Sequence, residues 1–305
     1  MNADVSSITW FNLPVWAWRT AGASMLTYRA SRRSWSASRV RALIRPDLDR
    51  PIFLVGAARS GTTFLGAALS ASPEISYHFE PVATKAAARY VYEESWSEAR
   101  AARFYRRVYS WLMRVHADGD LRFAEKTPRN VFVVPFLARA FPDSVFIHIV
   151  RDGRDAALSL SKRPWLQASQ AASGRREPGG YPYGPSPRFW VEEGRWAEFA
   201  ATSDLHRCSW AWRAHTQAGL DVSRELPADR YLELRYEELV GAPAEHARLL
   251  TDFLGLADPR AVTAALEGAR IDSVGRWRSE LTAEQLSVIS GESGELLERL
   301  GYSGS

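Results

Sequence analysis

A loop of small and hydroxyl-bearing residues follows an apolar run early in the chain. Residues 56–63 read Gly-Ala-Ala-Arg-Ser-Gly-Thr-Thr, which matches the spacing of the phosphate-binding loop G-x-x-x-x-G-K-[ST] except that Thr62 replaces the lysine. Small residues let backbone N–H groups close around an anion, and the helix that follows adds the positive end of its dipole. A guanidinium and hydroxyl groups on Arg59, Ser60, Thr62 and Thr63 are further donors. The sequence therefore predicts an anion site here.

The missing lysine changes which phosphate compound suits the loop. In nucleoside triphosphatases that lysine reaches the β- and γ-phosphates, and the next Ser or Thr works with a magnesium ion. With Thr62 in its place, a single 5′-phosphate bearing a transferable group fits better than a triphosphate. No carboxylate cluster stands beside the loop as a magnesium site requires, so the layout calls for no metal. A strand-turn-helix without a ligand is the alternative.

A second anion site is predicted where another apolar strand ends. Arg151 leaves that strand at its carboxyl end, and Ser159 falls two turns into the next helix. Arg163 lies four residues further on, on the same face if the helix persists. The alternative for Arg151 is an ion pair with Asp152 or Asp155. Two anion sites on neighbouring strands imply a ligand with two separated phosphates, such as an adenosine 3′,5′-bisphosphate.

Apolar runs alternate with helical segments along the main part of the chain. Strands are predicted at 51–56, 75–79, 145–150 and 231–234, and helices at 64–70, 85–117, 155–161 and 244–254. This alternation indicates a parallel sheet with helices on both faces, so we predict an α/β fold with a single P-loop-like domain. Ligands of such sheets bind at the carboxyl ends of the strands, which places both anion sites at one edge.

Composition and charge exclude several classes of protein. Hydrophobic residues make up 46% and charged residues 24% of the 305 residues, as in ordinary globular proteins. The net charge is +6 over residues 1–46 and −2 over the rest, so no basic stripe crosses the domain and nucleic acid is not an expected partner. Cys208 is the sole cysteine, which excludes an intrachain disulfide and fits a reducing, cytoplasmic compartment.

Residues 1–46 form a Trp- and Arg-rich unit, predicted to be a helical extension of a domain that spans 47–305. Polar residues interrupt the most apolar stretch, 8–28, so it does not suit a membrane span. A helix lying on an anionic membrane surface and a leading helix packed on the domain both fit the composition. The first alternative predicts peripheral contact with a membrane.

Two stretches together resemble a known family. They are Phe-Leu-Val-Gly-Ala-Ala-Arg-Ser-Gly-Thr-Thr at 53–63 and Ile-Val-Arg-Asp-Gly-Arg-Asp-Ala-Ala-Leu-Ser at 149–159. They resemble motifs of the sulfotransferases that use 3′-phosphoadenosine-5′-phosphosulfate (PAPS), in particular the branch of protein-tyrosine and many bacterial sulfotransferases. The resemblance spans roughly residues 51–280. It implies transfer of a sulfuryl group from PAPS to a hydroxyl or amine and release of 3′-phosphoadenosine-5′-phosphate (PAP).

The resemblance also implies which residues bind the donor. The first loop would bind the 5′-phosphosulfate end, and the second motif would bind the 3′-phosphate. The segment at Tyr236 lies near the nucleotide in the family, and the stretch 273–278 resembles a late loop that closes over the donor. The implied donor-binding residues are Arg59, Ser60, Gly61, Thr62, Thr63, Arg151, Ser159, Arg163, Tyr236, Ser273 and Arg276.

Three further residues are candidates for the chemistry. Glu80 lies 21 residues beyond Arg59, where this branch has its catalytic glutamate, and is interpreted as the base that takes the acceptor proton. His78 is the alternative base, since a strand 75–79 extended by one residue would point both side chains to one face; otherwise it is a packed histidine. Lys126 resembles the family lysine that touches the sulfate and, with Arg59, would stabilise developing charge. A surface charge is the alternative for Lys126.

The acceptor is the least determined part of the prediction. Residues 162–206 are interpreted as a lid or insertion on the acceptor side, and the Gly- and Pro-rich stretch 173–188 as either that lid or a disordered loop. Neighbouring aromatic residues suit sugar faces and apolar pockets alike, although Trp210 and Trp212 are alternatively core residues of a helix. A small molecule, a glycan and a lipid-linked compound all remain candidate acceptors.

Two other functions stay open at this point. A P-loop kinase for a small molecule predicts a lysine at position 62 and a metal-binding acid, whereas the sequence has Thr62. A nucleotide-binding module without catalysis needs no base or cation at Glu80 and Lys126. The sequence leaves the oligomeric state undetermined.

Overall fold

Five parallel strands form the central sheet of the computed structural model, which describes residues 35–177, 180–268 and 271–302. The strands are β1 (Ile52–Gly56), β2 (Ile75–Phe79), β3 (Arg122–Lys126), β4 (Val145–Val150) and β5 (Tyr231–Arg235), in the spatial order β2-β3-β1-β4-β5. All neighbouring strands pair in parallel, which confirms the predicted sheet. Central strands β1 and β4 are buried along their whole length, and that is why they read as continuous apolar runs.

Helices occupy most of the connections between these strands. The described α-helices are α1 (Ala37–Ile44), α2 (Thr62–Leu69), α3 (Val82–Tyr92), α4 (Glu98–His116), α5 (Val134–Ala140), α6 (Gly153–Ser161), α7 (Trp196–Ala201), α8 (Asp204–Val222), α9 (Tyr236–Gly241), α10 (Pro243–Leu254), α11 (Arg260–Leu266), α12 (Trp277–Glu280) and α13 (Ala283–Arg299). Short 3₁₀ turns lie at Pro128–Val133, Pro164–Leu166, Ala168–Gln170, Glu193–Arg195 and Ile271–Ser273.

The side chains of β1 alternate between two helical layers, as the two-residue period of a strand requires. Phe53 and Val55 pack in one apolar cluster with α3, α4 and α5. Ile52 and Leu54 pack in a second cluster with α2, α9, α10 and α11. A third cluster joins α6, α8 and α13. Helices therefore cover both faces of the sheet, as predicted.

The structure differs from the prediction at two elements. The helical stretch predicted over 85–117 is interrupted, because the chain breaks between α3 and α4: Glu94 adopts a left-handed φ of 54°, and the side chain of Ser97 caps the start of α4. Strand β3 was not predicted, since three of its five residues are charged. Two of those charged side chains, Glu125 and Lys126, are nevertheless buried.

The N-terminal unit is described only from residue 35, so residues 1–34 of the predicted extension lie outside the described residues. Helix α1 packs on the domain: Arg39 is buried, and its Nε donates to the carbonyl oxygen of Ala117 over 2.8 Å. From the other side, Arg114 Nε donates to the carbonyl oxygen of Leu43 over 2.9 Å. None of the helices in the described ranges has the length and apolarity needed to cross a membrane.

The stretch 173–188 has irregular backbone in its described part, as predicted, apart from an isolated bridge between Arg176 and Pro182. It is nevertheless anchored, because Arg188 is 3% exposed and donates to the carbonyl oxygen of Trp165 over 3.0 Å. On α8, Trp210 and Trp212 are fully buried, so they are core residues.

Candidate active site

The loop between β1 and α2 is held in shape by two glycines. Gly56 has a φ of 137°, and a Cβ there would lie 2.6 Å from the carbonyl oxygen of Ile149 on β4. Gly61 has a φ of 96°, and a Cβ would lie 2.4 Å from the ring of Tyr236. Arg59 itself adopts a φ of 71°, which is unusual for a residue with a side chain. Strained backbone of this kind marks loops that the surrounding structure holds for a function.

A cavity of about 550 Å³ opens beside this loop. We call it the α6 cavity, because its far wall is formed by α6. It brings together most of the predicted donor-binding residues. Its lining includes Arg59, Gly61, Thr62, Thr63, Arg151, Ser159, Tyr236, Ser273 and Arg276. Ser60 is fully buried beneath the loop, where its Oγ has no hydrogen-bond partner within the described part of the chain.

Arg151 lies at the carboxyl end of β4 and joins several walls of the α6 cavity. Its Nη1 donates to the carbonyl oxygen of Arg59 over 3.1 Å, Nη2 donates to that of Ser273, and the guanidinium lies 4.7 Å from the ring centre of Tyr236. The ion pair with Asp155 that was the alternative also exists, at 3.6 Å. The buried Nε of Arg151 has no partner among the described residues, so a donor remains for a ligand.

Arg59 and Ser159 meet across the cavity, where Arg59 Nε donates to Ser159 Oγ over 3.1 Å. Burial lowers the pKa of Arg59, and the positive charges of Arg163 and Arg151 lower it further. Guanidinium groups that repel one another in a partly buried space are stabilised by an anion between them. The α6 cavity therefore favours a phosphate.

The expected position of Arg163 is wrong in one respect. Helix α6 ends at Ser161, and Arg163 has extended backbone with a φ of −107°. The four-residue spacing therefore does not place it on the helical face of Ser159. At the end of α6, Lys162 is one of the residues that line the α6 cavity, and Arg163 is not.

The late loop is held in place by hydrogen bonds to the carboxylate of Asp155, and not by the loop's own basic residues. Asp155 on α6 accepts the backbone N–H groups of Gly275 over 2.7 Å and Trp277 over 3.0 Å. Ser273 then reaches Tyr236, with 2.8 Å between the two hydroxyl oxygens. Arg276 is exposed at the rim and pairs with Glu280.

A second cavity, of about 380 Å³, lies on the other side of the loop. We call it the Glu80 cavity. It shares Arg59, Thr62 and Thr63 with the α6 cavity, and it also contains Glu80 and Lys126. The loop thus separates two spaces that both touch the same cation and hydroxyl groups.

Glu80 follows the carboxyl end of β2 and is held between two lysines. Its Oε1 lies 2.5 Å from Lys126 Nζ, and its Oε2 lies 2.5 Å from Lys85 Nζ. The backbone of Glu80 is left-handed, with a φ of 41°. Burial alone would raise the pKa of Glu80, but the two ammonium groups hold it well below its usual range. The carboxylate is therefore ionised at neutral pH.

Lys126 reaches this place because β3 pairs with β2 in the register that sets Lys126 opposite Phe79. Its side chain is 1% exposed, and its Nζ lies 3.9 Å from the centre of the Phe79 ring. Burial lowers its pKa, and the neighbouring charge of Glu80 partly offsets this. The surface-charge alternative for Lys126 is therefore wrong.

His78 is not one of the described residues that line the α6 cavity or the Glu80 cavity. Strand β2 ends at Phe79, and the left-handed turn at Glu80 breaks the alternation that would have put both side chains on one face. His78 is fully buried, with 3.0 Å between its Nε2 and Ser76 Oγ, and it stacks on Phe123 at 5.0 Å. Burial lowers its pKa. These contacts are those of a packed histidine.

Comparison with known proteins agrees with this geometry. The sequence profile described as the Sulfotransferase family matches residues 51–179 and 189–260. The chain belongs to the sulfotransferase family. Both motifs singled out in the sequence, 53–63 and 149–159, fall inside the matched ranges.

The sulfotransferase relatives found in the comparison are distant. The omega-hydroxy-beta-dihydromenaquinone-9 sulfotransferase Stf3 of Mycobacterium bovis is 29% identical over 204 residues, which is 65% of this chain and 45% of that protein. Protein-tyrosine sulfotransferase A of Caenorhabditis elegans is 24% identical over 221 residues, which is 67% of this chain and 50% of that protein. The chain thus spans about half the length of these curated relatives.

A solved sulfotransferase structure supports the fold. Sulfotransferase STF9 from Mycobacterium avium superposes with a TM-score of 0.54 at 14% sequence identity, covering 97% of this chain and 88% of that chain. At this identity the likeness concerns the fold, which agrees with the P-loop-like α/β architecture.

Several residues of the candidate site were not predicted from the sequence. Lys85 lies on the first turn of α3, five residues after Glu80, and no spacing rule connects the two. At the far side of the Glu80 cavity, Glu177 accepts from Arg129 Nη2 over 2.8 Å and from Arg188 Nε over 3.1 Å. The only signal in the sequence was the cluster of charges in the irregular stretch 173–188.

Proposed function

We propose that this chain transfers a sulfuryl group from PAPS to a hydroxyl or amine group of a small-molecule, glycan or lipid-linked acceptor. One observation carries the proposal. The α6 cavity and the Glu80 cavity share Arg59, Thr62 and Thr63, and the Glu80–Lys126 pair lines the Glu80 cavity together with these shared residues. A donor in the α6 cavity and an acceptor in the Glu80 cavity would thus meet at the shared loop residues, with a carboxylate and an ammonium group on the acceptor side.

The residues present suit the two phosphate ends of PAPS. The loop residues Ser60, Thr62 and Thr63 offer hydroxyl groups to the 5′-phosphosulfate, and the unpartnered Oγ of Ser60 supports this assignment. Arg151 and Ser159 would hold the 3′-phosphate, and the free Nε of Arg151 supports that role. The remaining contacts would come from Gly61, Tyr236, Ser273, Arg276 and Arg163. The proposed reaction requires no metal ion.

The transfer forms one bond and breaks another. The acceptor oxygen or nitrogen bonds to sulfur, the bond between sulfur and the 5′-phosphate oxygen breaks, and the acceptor proton moves to Glu80 Oε1. Lys126 and Arg59 would stabilise the charge on the sulfuryl oxygens and on the departing phosphate oxygen of PAP. Fixed charges of this kind usually supply the largest catalytic contribution.

Glu80 has to become a better base than it is with both lysines bound. Its two oxygens are each 2.5 Å from an ammonium group, which stabilises the anion and opposes proton uptake. When Lys126 turns to the anionic donor, Oε1 is freed and only Lys85 remains on Oε2. The pKa of Glu80 then rises, so we expect the base to be activated by donor binding.

A kinase and a silent binding module are less well supported. The position that a kinase loop gives to lysine is Thr62, and membership in the sulfotransferase family argues against phosphoryl transfer. A silent module would need neither a base nor a cation at this position, whereas the Glu80 cavity contains both Glu80 and Lys126.

Calorimetric titration tests the proposed donor site. The full chain is titrated with PAP in the absence of magnesium, and with ATP plus magnesium for comparison. Micromolar binding of PAP is expected, together with at least a tenfold loss of affinity in Arg59→Ala and in Arg151→Ala. Arg139→Ala is the matched control, since the side chain of Arg139 is 59% exposed and pairs at the surface. Binding of ATP without binding of PAP would contradict the proposal.

A further inference from the structure

The Glu80 cavity contains a buried histidine that the transfer reaction does not use. His215 lies on α8, is 6% exposed and lines this cavity. Its ring is fixed by edge-to-face packing against Phe132 at 4.7 Å and Trp190 at 5.3 Å between ring centres. The side chain therefore presents a defined edge to the cavity.

The hydrogen bonds of His215 fix which nitrogen carries the proton. Nδ1 lies 2.7 Å from the carbonyl oxygen of Ala211, one helical turn earlier. A carbonyl oxygen only accepts, so Nδ1 is protonated and Nε2 keeps a lone pair. Within the described ranges Nε2 makes no hydrogen bond. Burial, with Arg129 nearby, lowers the pKa of His215 to about 4, so the ring is neutral and Nε2 is an acceptor at pH 7.

The charged groups around His215 are largely paired with one another. Glu177 accepts from Arg129 and Arg188, and Glu80 accepts from Lys85 and Lys126. The charged groups here thus largely satisfy one another, so few polar groups remain to pair with the many hydroxyl groups of a sugar, and a buried hydroxyl without a partner is costly. Apart from the loop residues Arg59, Thr62 and Thr63, the remaining walls are apolar and largely aromatic, and they include Phe79, Leu160, Trp165, Leu166, Tyr183 and Trp190. An apolar, ring-bearing molecule fits such walls.

We propose that His215 is a specificity-determining residue of the acceptor site, and that it selects an acceptor with an apolar ring system and a second O–H or N–H group. The first such group is the one that is sulfated at Glu80. The second donates a hydrogen bond to Nε2 of His215. This inference rests on the proposed function, because the Glu80 cavity is the acceptor site only if Glu80 is the base.

Binding of matched ring compounds to the PAP-bound full chain tests the inference without requiring turnover. The probes are 2-naphthol, with one hydroxyl group, and the 2,6- and 2,7-dihydroxynaphthalenes, titrated by calorimetry. At least one diol is expected to bind about 3- to 10-fold more tightly than 2-naphthol, as one added neutral hydrogen bond allows. In His215→Phe the advantage of the diol should disappear while the affinity for 2-naphthol changes less than about twofold. His215→Gln, which provides an acceptor oxygen, should recover part of the affinity advantage of the diol over 2-naphthol.

A second measurement keeps the test valid if His215→Phe does not fold. In the wild-type chain labelled with ¹⁵N-histidine, the Nε2 resonance of His215 should shift on addition of the diol and not of 2-naphthol. Equal affinities for the diols and 2-naphthol, no binding of any of these probes, or a diol advantage that survives in His215→Phe would overturn the inference. Failure of the chain to bind PAP would instead overturn the proposed function, so the two failures are distinguishable.

Discussion

At the scale of single residues, the carboxylate of Glu80 has two contacts with different consequences. In the proposed reaction Lys126 leaves Glu80 for the anionic donor, whereas Lys85, on α3, stays with Glu80. The first contact would be exchanged during the reaction, and the second would hold the carboxylate in place. Variants at these positions therefore should have different effects on rate and on pH dependence.

Replacement of Glu80 by glutamine removes the base and keeps the size of the side chain. We expect kcat to fall by about 10²- to 10⁴-fold, the usual contribution of a positioned base, with PAP affinity within about threefold of the wild type. Steady-state kinetics with PAPS and calorimetry with PAP measure the two quantities. Glu98→Gln is the matched control, since the side chain of Glu98 is 54% exposed and far from the cavities in its surface pair. A Glu80→Gln rate within tenfold of wild type would rule out this base.

Replacement of Lys85 by methionine removes one of the two cations that lower the pKa of Glu80. The base is active only when ionised, and its pKa rises when a positive neighbour is lost. The acidic limb of the kcat profile should therefore move to higher pH, by roughly one to three pH units. Lys85→Arg keeps the charge and should restore much of the wild-type profile. An unshifted acidic limb in Lys85→Met would show that Lys85 does not act on Glu80.

At the scale of elements, the loop between β1 and α2 depends on a contact that the sequence does not reveal. The ring of Tyr236, at the start of α9, fills the space where a side chain at Gly61 would be. Gly61→Ala should destabilise the fold by about 1–3 kcal/mol through overpacking and weaken PAP binding, as measured by thermal unfolding and calorimetry.

Gly291 provides the control for that substitution. It lies within α13, and a Cβ there meets nothing within 4 Å. Gly291→Ala should leave PAP binding unchanged and raise stability by up to about 1 kcal/mol, since alanine is a better helix former. If both alanine variants behaved alike, the contact between Gly61 and Tyr236 would not govern the loop.

Elements that have a recognisable pattern in their own residues could be predicted from the sequence. Elements that depend on contacts with distant parts of the chain could not. Strands β1 and β4 were predictable because both of their faces are buried in apolar layers. Strand β3 was not, because its charged residues Glu125 and Lys126 are buried through partners elsewhere in the chain: Tyr109 on α4 donates to Glu125 over 2.8 Å, and Glu80 accepts from Lys126. The break before α4 was likewise hidden by favourable helix composition on both sides.

The same distinction applies to the site. Arg59 and Arg151 were predictable because each follows or leaves a predicted strand in a recognisable motif, whereas Lys126 was identified only through its resemblance to the family lysine. Lys85 and His215 were not, since their functional contacts are made by packing between α3, α8 and the strand ends. Arg163 was misplaced because the signal of Pro164, which directly follows it, was not used: a proline disfavours helical backbone at the residue before it, and α6 ends at Ser161.

At the scale of the whole molecule, the α6 cavity joins parts of the chain that are far apart in sequence. It is lined by the first loop, α6, the start of α9 and the late loop at 272–276. A ligand that contacts all of these segments should stabilise the folded chain against unfolding. At a PAP concentration 100 times its Kd, the gain in the free energy of unfolding is about 2.7 kcal/mol. Thermal unfolding should show a clear rise in Tm with PAP, and at most about half of that rise in Arg151→Ala at the same concentration; an equal rise in both would contradict a site at Arg151.

Transfer of radiolabel tests the central claim most directly. The full chain is incubated with [³⁵S]PAPS and a panel of hydroxyl- and amine-bearing acceptors, and label in each acceptor is compared with PAP released. The account predicts that label appears in at least one acceptor, with one PAP formed for each sulfuryl group transferred. If PAP binds but the label stays in PAPS or appears only as inorganic sulfate with every acceptor, the chain is not the sulfotransferase proposed.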